Sequence, residues 1–437
     1  MKKFHIVRLG CPKNDADMDI FRGIMENKGY VYSNEAKEAD TIFIDTCGFI
    51  ESAKKESIDT IFEYNSLKEE NPDLKVIPIG CLIERYYDDF KEDLKEVDGL
   101  YGVIPPAVIA DNFDKENFYL KLDTPYDTYE CDFRHVPETD YAYIKIADGC
   151  NRNCNFCSIP YFKGNPASRE IDDIVNETKF LVNNGIKEII LVSQDNTLYG
   201  ADLYGKQSLP ELLNKINDIE GNFWVRVMYL HPDFINDEII EAIHNNEKVL
   251  NYFDIPVQNG SDNVLKLMGR VRMKDKIRNI VRKAKSNGSA VRTTILLGFP
   301  GETDEDFKET MDFVDEIEFD RLGVFSYSPE EGTPAYEFDF SVDEETKDKR
   351  VDSLLELQKA ISEDIMEKYI GKTLDVLVEE YTDGVYVGRS FMDAPEIDGN
   401  VLFKSDENIA LGSFVKVKIT NSLDYDLEGE ILWMYLI

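Results

Sequence analysis

Short apolar runs alternating with helical stretches, followed by a terminal set of closely spaced strand-like runs, predict an α/β protein of three domains. Residues 1–125 read as an open parallel α/β domain, residues 136–368 as a partial (βα)6 barrel, and residues 371–437 as a small five-stranded β-barrel. A chain of 437 residues is too long for one ordinary core, which agrees with such a division.

In the N-terminal domain, Phe4 to Leu9, Thr41 to Asp45 and Lys75 to Ile79 are short apolar runs of the kind that form buried strands. Helical patterns such as Ser52 to Tyr64 lie between them. Each run ends in a cysteine beside a glycine: Gly10-Cys11, Cys47-Gly48 and Gly80-Cys81. In open α/β sheets the ligand crevice lies beyond the carboxyl ends of the strands, so these thiols are expected to converge there. The glycines allow the backbone to approach a bulky group closely. One cysteine at a strand end is an ordinary core residue; three at equivalent ends point to an iron–sulfur centre.

The middle domain is predicted from six strand-like runs with helices between them: Tyr143 to Ala147, Glu188 to Val192, Phe223 to Tyr229, Tyr252 to Val257, Ala290 to Leu297 and Leu322 to Ser326. Barrels of this type carry their sites at the carboxyl ends of the strands. Just after the first run stands Cys150-Asn151-Arg152-Asn153-Cys154-Asn155-Phe156-Cys157. A 4Fe–4S cluster has four irons, each needing a terminal ligand, so three cysteines leave one iron open for a ligand that is not protein. A structural zinc would need a fourth Cys or His, and none of His5, His135, His231 and His244 lies in this loop.

The C-terminal domain follows a charged helical passage from Asp343 to Tyr369. Its expected strands are Thr373 to Glu379, Val385 to Phe391, Asn400 to Phe403, Ser413 to Ile419 and Glu428 to Ile437, a spacing that suggests an oligonucleotide-binding-type barrel. Residues 371–437 hold 5 Lys+Arg against 13 Asp+Glu, so phosphate binding is disfavoured and a protein ligand suits the barrel better. The whole chain has a net charge of -37, which repels nucleic acid and attracts basic proteins, although acidity also serves solubility.

No segment reaches the length of apolar sequence that spans a membrane, and Met1 to Arg8 reads as a strand rather than a signal peptide. A cytoplasmic location is expected. With seven cysteines, an odd number, thiolate ligands in a reducing compartment are a better reading than a disulfide framework. Cys131, in a Tyr- and Asp-rich linker, reads as a spectator.

Two three-cysteine sites followed by a small barrel resemble the radical S-adenosyl-L-methionine (SAM) methylthiotransferases over essentially the whole chain. The stretches that carry the resemblance are Leu9-Gly10-Cys11-Pro12-Lys13-Asn14, Asp45-Thr46-Cys47-Gly48-Phe49-Ile50, Gly80-Cys81-Leu82, Asp148-Gly149-Cys150 and Phe325-Ser326-Tyr327-Ser328-Pro329-Glu330-Glu331-Gly332-Thr333. Pro12-Lys13-Asn14 stands where the tRNA-modifying branch typically has Gln-Met-Asn, so the chain looks like the branch that modifies an aspartate of a ribosomal protein. A tRNA adenosine methylthiotransferase is the alternative, and it predicts a basic terminal barrel. An electron carrier would generally surround each cluster with four protein ligands.

The resemblance implies two 4Fe–4S clusters, held by Cys11, Cys47 and Cys81 and by Cys150, Cys154 and Cys157. SAM would be used twice, as methyl donor and as radical source, with external sulfide or polysulfide supplying sulfur. The acceptor would be the β-carbon of an aspartate in small-subunit ribosomal protein S-twelve, free or in the small ribosomal subunit, and a flavodoxin or ferredoxin would supply electrons. Direct nucleic acid binding is not expected to dominate. The terminal barrel would be of the TRAM kind.

By the same resemblance Phe156 would lie beside the adenine, and Gly298, Gly301 and Glu302 belong to a SAM-contacting segment, Gly298 to Thr303. That segment is also an ordinary turn before a helix. Arg169, as a cation for the SAM carboxylate, and Gln194 are further candidates for which helix capping or a surface ion pair explains the residues equally well. Asn259, Glu84, Lys163 and Ala167 depart from the usual His, Gln, Arg and Arg.

Overall fold

The computed structural model describes residues 1–115, 118–120, 134–270 and 273–432. Cys131 and the end of the expected last strand lie outside these residues. The N-terminal sheet is built from β1 (Lys3–Arg8), β2 (Val31–Tyr32), β3 (Thr41–Thr46), β4 (Lys75–Gly80), β5 (Gly99–Tyr101) and β6 (Phe118–Leu120). Its order is β2-β1-β3-β4-β5-β6, and every pairing is parallel. Three of the six strands match the expected runs; the others are two or three residues long, too short to show a period of their own.

Helices cover both faces of the sheet, so β3 is buried at all six positions and reads as an unbroken apolar run. The register pairs Arg8 with Asp45 and Thr46 with Gly80. The carboxyl ends of β1, β3 and β4 therefore lie side by side.

The middle domain carries β7 (Tyr141–Lys145), β8 (Ala147–Asp148), β9 (Ala167–Ser168), β10 (Glu188–Val192), β11 (Trp224–Val227), β12 (Tyr252–Asp254), β13 (Ala290–Leu297) and β14 (Arg321–Ser326). β8 and β9 make a small antiparallel pair, and the other six strands form two parallel three-stranded halves, β11-β10-β7 and β12-β13-β14. The halves are joined through irregular backbone bonds: Leu250 N donates to Val225 O at 2.8 Å and Leu230 N to Asp254 O at 2.8 Å. This is the six-strand open barrel that the alternation predicts. Ile189 to Val192 are fully buried against its surrounding helices.

The terminal barrel comprises β15 (Thr373–Thr382), β16 (Val385–Arg389), β17 (Val401–Lys404), β18 (Phe414–Ser422) and β19 (Leu427–Ile431), closed in the order β15-β16-β17-β19-β18. It is seated on residues that open the middle strands. Glu188, first in β10, pairs with Arg226 and Arg389 at 2.6 Å each. Arg321, first in β14, pairs with Asp393, and the Tyr252 hydroxyl, opening β12, donates to Asp398 at 2.7 Å. The terminal barrel thus caps the amino ends of these strands. The N-terminal domain faces the other end, where Lys145, last in β7, pairs with Asp17 at 2.6 Å.

Candidate active site

Local geometry fixes each cysteine loop. Gly149 has φ +78°, and a Cβ there would meet Asn165 O at 2.2 Å, so only glycine fits. Cys150 N donates to Gly164 O at 2.9 Å, and Cys157 N to Cys154 O at 3.0 Å. Between them Asn155 staples the loop, donating its backbone N–H to Met268 O at 3.0 Å and its side-chain amide to Leu267 O at 2.8 Å.

In the N-terminal domain Cys11 is the N-cap of the helix Pro12–Asn27, and Cys81 opens the helix Cys81–Arg85 after Gly80 turns the chain at φ +97°. Cys47 N donates to Ser57 Oγ at 3.0 Å. A Cβ on Gly48 would lie 2.8 Å from Cys81 O, so glycine lets the Cys47 and Cys81 loops close on one another.

All six cysteines line one cavity of ≈ 350 Å³ between the N-terminal domain and the carboxyl end of the partial barrel. Among the described residues no three His, Cys, Asp or Glu side chains are grouped to hold a single metal ion. Each triad instead offers three thiols to a shared space. Burial pushes the thiols of Cys81 and Cys157 up to about 12 and that of Cys150 up to about 11. In an apolar wall such thiols keep their protons until a cation replaces them. The donor set suits iron–sulfur clusters, which take thiolate sulfur. Gln194 adds to the fit: its Nε2 donates to Asp148 Oδ1 at 2.8 Å, and its buried Oε1, in the cavity wall, has no partner among the described residues and can accept from a ligand.

The cavity is rich in cations. Lys13, Arg152, Lys163, Arg270 and Arg292 line it, with Asp254 as the one carboxylate of the described wall. Lys163 pairs with Asp148 at 3.1 Å, and Lys145 reaches the same carboxylate at 2.9 Å. Burial pushes the Asp148 carboxyl up, but the two ammonium groups pull it well below the ordinary carboxylate range. Arg152 pairs with Asp195 at 2.9 Å, and Arg292 with Asp254 at 3.2 Å and Asp398 at 3.5 Å.

Of the candidate SAM contacts, Phe156 and Gln194 line the cavity. Phe156 packs against a buried cluster that includes Met268, Phe299 and Tyr327. Gly298, Gly301, Glu302 and Arg169 do not line it. Glu302 accepts from Gly298 N at 3.0 Å and pairs with Arg350 at 2.5 Å, tying the turn to the helix Glu344–Glu367. The turn contributes Phe299 to the cluster against which Phe156 packs. Arg169 is held by Asp173 and Glu177, each at 2.7 Å, so its charge is already matched inside the protein.

The four departures sort similarly. Lys163 reaches the cavity; Asn259 accepts from Thr310 Oγ1 at 2.9 Å, Glu84 accepts from Val103 N at 2.8 Å, and Ala167 pairs with Asp148 in the small β8–β9 ladder. Sequence reasoning missed Tyr229, His231 and Arg270 as wall residues. Tyr229 stands at φ +55°, rare for a bulky side chain, and nothing in the sequence around it signals that conformation.

Residues 144–314 match the model of the radical SAM superfamily, residues 370–432 that of the TRAM domain, and residues 3–102 a family described as uncharacterized protein family UPF0004. Among solved structures, the fold is similar to the radical S-adenosylmethionine methyltransferase TsrM from Kitasatospora setae, with TM-score 0.55 at 13% identity, covering 89% of this chain and 77% of that one. The cobalamin-dependent S-adenosylmethionine radical enzyme OxsB superposes with TM-score 0.51 at 13% identity, covering 82% of this chain and 56% of that one. These likenesses concern the fold alone; the class, a radical SAM enzyme, follows from the matched superfamily model together with the full-length relatives. Membership of that superfamily brings SAM and a 4Fe–4S cluster.

The ribosomal protein uS12 methylthiotransferase RimO of Petrotoga mobilis is 58% identical over 434 residues, 99% of this chain and 100% of that protein. Its namesake in Thermosipho africanus is 52% identical over 98% of this chain and 99% of that protein. The chain belongs to this RimO family of radical SAM methylthiotransferases. Among the described residues no helix is long and apolar enough to cross a membrane.

Proposed function

We propose that this chain replaces a β-carbon hydrogen of an aspartate in ribosomal protein uS12 with a methylthio group. The observation that carries the reading is the convergence of two three-cysteine sets on one cavity. Two 4Fe–4S clusters and SAM, when bound, would supply a carbon radical for an unactivated C–H bond, a methyl donor and a holder for externally supplied sulfide or polysulfide.

The chain's own residues bind, orient and exclude water. Cys150, Cys154 and Cys157 hold the radical cluster, Phe156 offers a flat apolar face to an adenine, and Gln194 Oε1 accepts from a ligand amine. Cys11, Cys47 and Cys81 would hold the second cluster. Phe162, Ile159 and Pro256 add apolar surface to the cavity wall. Acceptor uS12, free or in the small ribosomal subunit, and a flavodoxin or ferredoxin as reductant are the partners, in the cytoplasm. The acidic terminal barrel favours a basic protein over a phosphate backbone as acceptor.

The test is mass spectrometry of uS12 and of tRNA after incubation with anaerobically reconstituted enzyme, SAM, sulfide and a reductant. A methylthio group on the aspartate is expected. An unmodified aspartate beside a methylthiolated tRNA base would reverse the assignment.

A further inference from the structure

Three of the five cations in the cavity wall are matched by carboxylates: Lys163 by Asp148, Arg152 by Asp195, and Arg292 by Asp254 and Asp398. Arg270 and Lys13 form no ion pair with any described carboxylate. Arg270 belongs to the radical wall. Its guanidinium lies 2.5 Å from His231 Nε2 and 5.7 Å from the Phe156 ring, and that histidine is 3.9 Å from Cys154 Sγ.

Lys13 stands on the opposite side, two residues after Cys11, yet its ammonium reaches across the domain junction to lie 4.0 Å from the centre of the Tyr229 ring. The ring is set there by an unusual backbone. Tyr229, at φ +55°, is held by its N–H donating to Asp254 Oδ2 at 2.9 Å and its carbonyl accepting from Asn196 N at 3.0 Å. An aromatic face steadies an ammonium group without neutralising it, so the Lys13 charge is available to an incoming anion. A four-carbon stem lets that charge follow its partner.

An acceptor carbon that must lie between a radical source on one wall and a sulfur holder on the other brings its attached carboxylate to the space Lys13 spans. We propose that Lys13 binds the carboxylate of the acceptor aspartate and sets the preference for that side chain over its amide. This rests on the reading of the chain as an aspartate methylthiotransferase. Tyr229 is the positioning residue that presents the ammonium group.

The test uses the anaerobically reconstituted holoenzyme with SAM and measures binding of labelled uS12 in two forms, one with the acceptor aspartate and one with asparagine in its place. A charge-assisted contact predicts that the unaltered enzyme prefers the aspartate form by about 10–100-fold. Lys13→Met should bind both forms alike, and Lys13→Arg should recover much of the difference. Iron content and the electron paramagnetic resonance signals of both clusters should be unchanged in either variant.

Discrimination retained by Lys13→Met overturns the proposal, as does loss of the N-terminal cluster signal, which would assign Lys13 to that metal centre instead. If the unaltered enzyme modifies uS12 but binds both forms equally, Lys13 alone is misassigned. If it never modifies uS12, the failure is that of the reading on which the proposal rests.

Discussion

Glu330 Oε2 lies 2.8 Å from Arg85 Nη1, an ion pair that fastens the loop after β14 to the N-terminal domain with the glutamate only 2% exposed. Lys54 meets the same oxygen at 3.0 Å, and Arg85 also donates to Gly48 O at 2.9 Å, beside Cys47. One carboxylate therefore holds two cations and, through Arg85, a cysteine loop. Glu330→Ala leaves both cations buried without their shared partner, which costs about 3–5 kcal/mol. Chemical denaturation should show that loss; an unchanged midpoint would mean that the junction is held elsewhere.

The seat of the terminal barrel should be as sensitive. Glu188 is fully buried between Arg226 and Arg389, and Arg389 also pairs with Glu379 at 2.6 Å. Glu188→Leu strands the Arg226 guanidinium in an apolar interior and should destabilise the chain by about 3–5 kcal/mol. Limited proteolysis should then release the segment after residue 370 faster than in the unaltered protein. Equal cleavage rates would argue against this clasp.

Cys154→Ala should separate the two metal centres. The variant is expected to retain one cluster's worth of iron and sulfide and to lose cleavage of SAM to 5'-deoxyadenosine, measured by chromatography. Full retention of that cleavage would refute the assignment of the radical loop.

Stability should fall with rising pH through Asp15. Burial pushes its carboxyl up to about 6, against the opposing pull of Arg8 at 3.4 Å. Below the ordinary carboxylate pKa both folded and unfolded chains hold the proton. Between about pH 4 and pH 6 the unfolded chain releases it first, so the Asp15 contribution to stability declines over that window. Asp15→Asn should remove this decline and stabilise the chain at pH 7. A stability profile identical to that of the unaltered protein from pH 4 to pH 7 would contradict this account.

The cysteine sets were legible because their chemistry is local: Cys150, Cys154 and Cys157 sit within eight residues, and Cys11, Cys47 and Cys81 each follow a recognisable short apolar run. The six-strand barrel was legible for the same reason, since β10 and β13 are long enough to show their character. What escaped depends on long-range placement. Gly298 to Thr303 reads as a SAM-contacting segment or an ordinary turn before a helix, and the buried partner of its Glu302 is Arg350, 48 residues further on. Arg169 reads equally as a ligand cation or as half of an ion pair, and its partner Glu177 comes from the Ile171–Asn183 helix. Tyr229 and Lys13 lie more than two hundred residues apart, so their contact leaves no mark on either neighbourhood.

The common chamber bears on how the protein is made and how it behaves in air. On the proposed reading, a reactive species formed at one wall would meet its target without a swinging arm or release into bulk solvent, which would spare it from dioxygen and bystander molecules. The same economy makes the gene indivisible in practice. Fragments expressed apart would each own a thiol set, and neither would own the room in which the two sets meet unless Glu330 found Lys54 and Arg85 again.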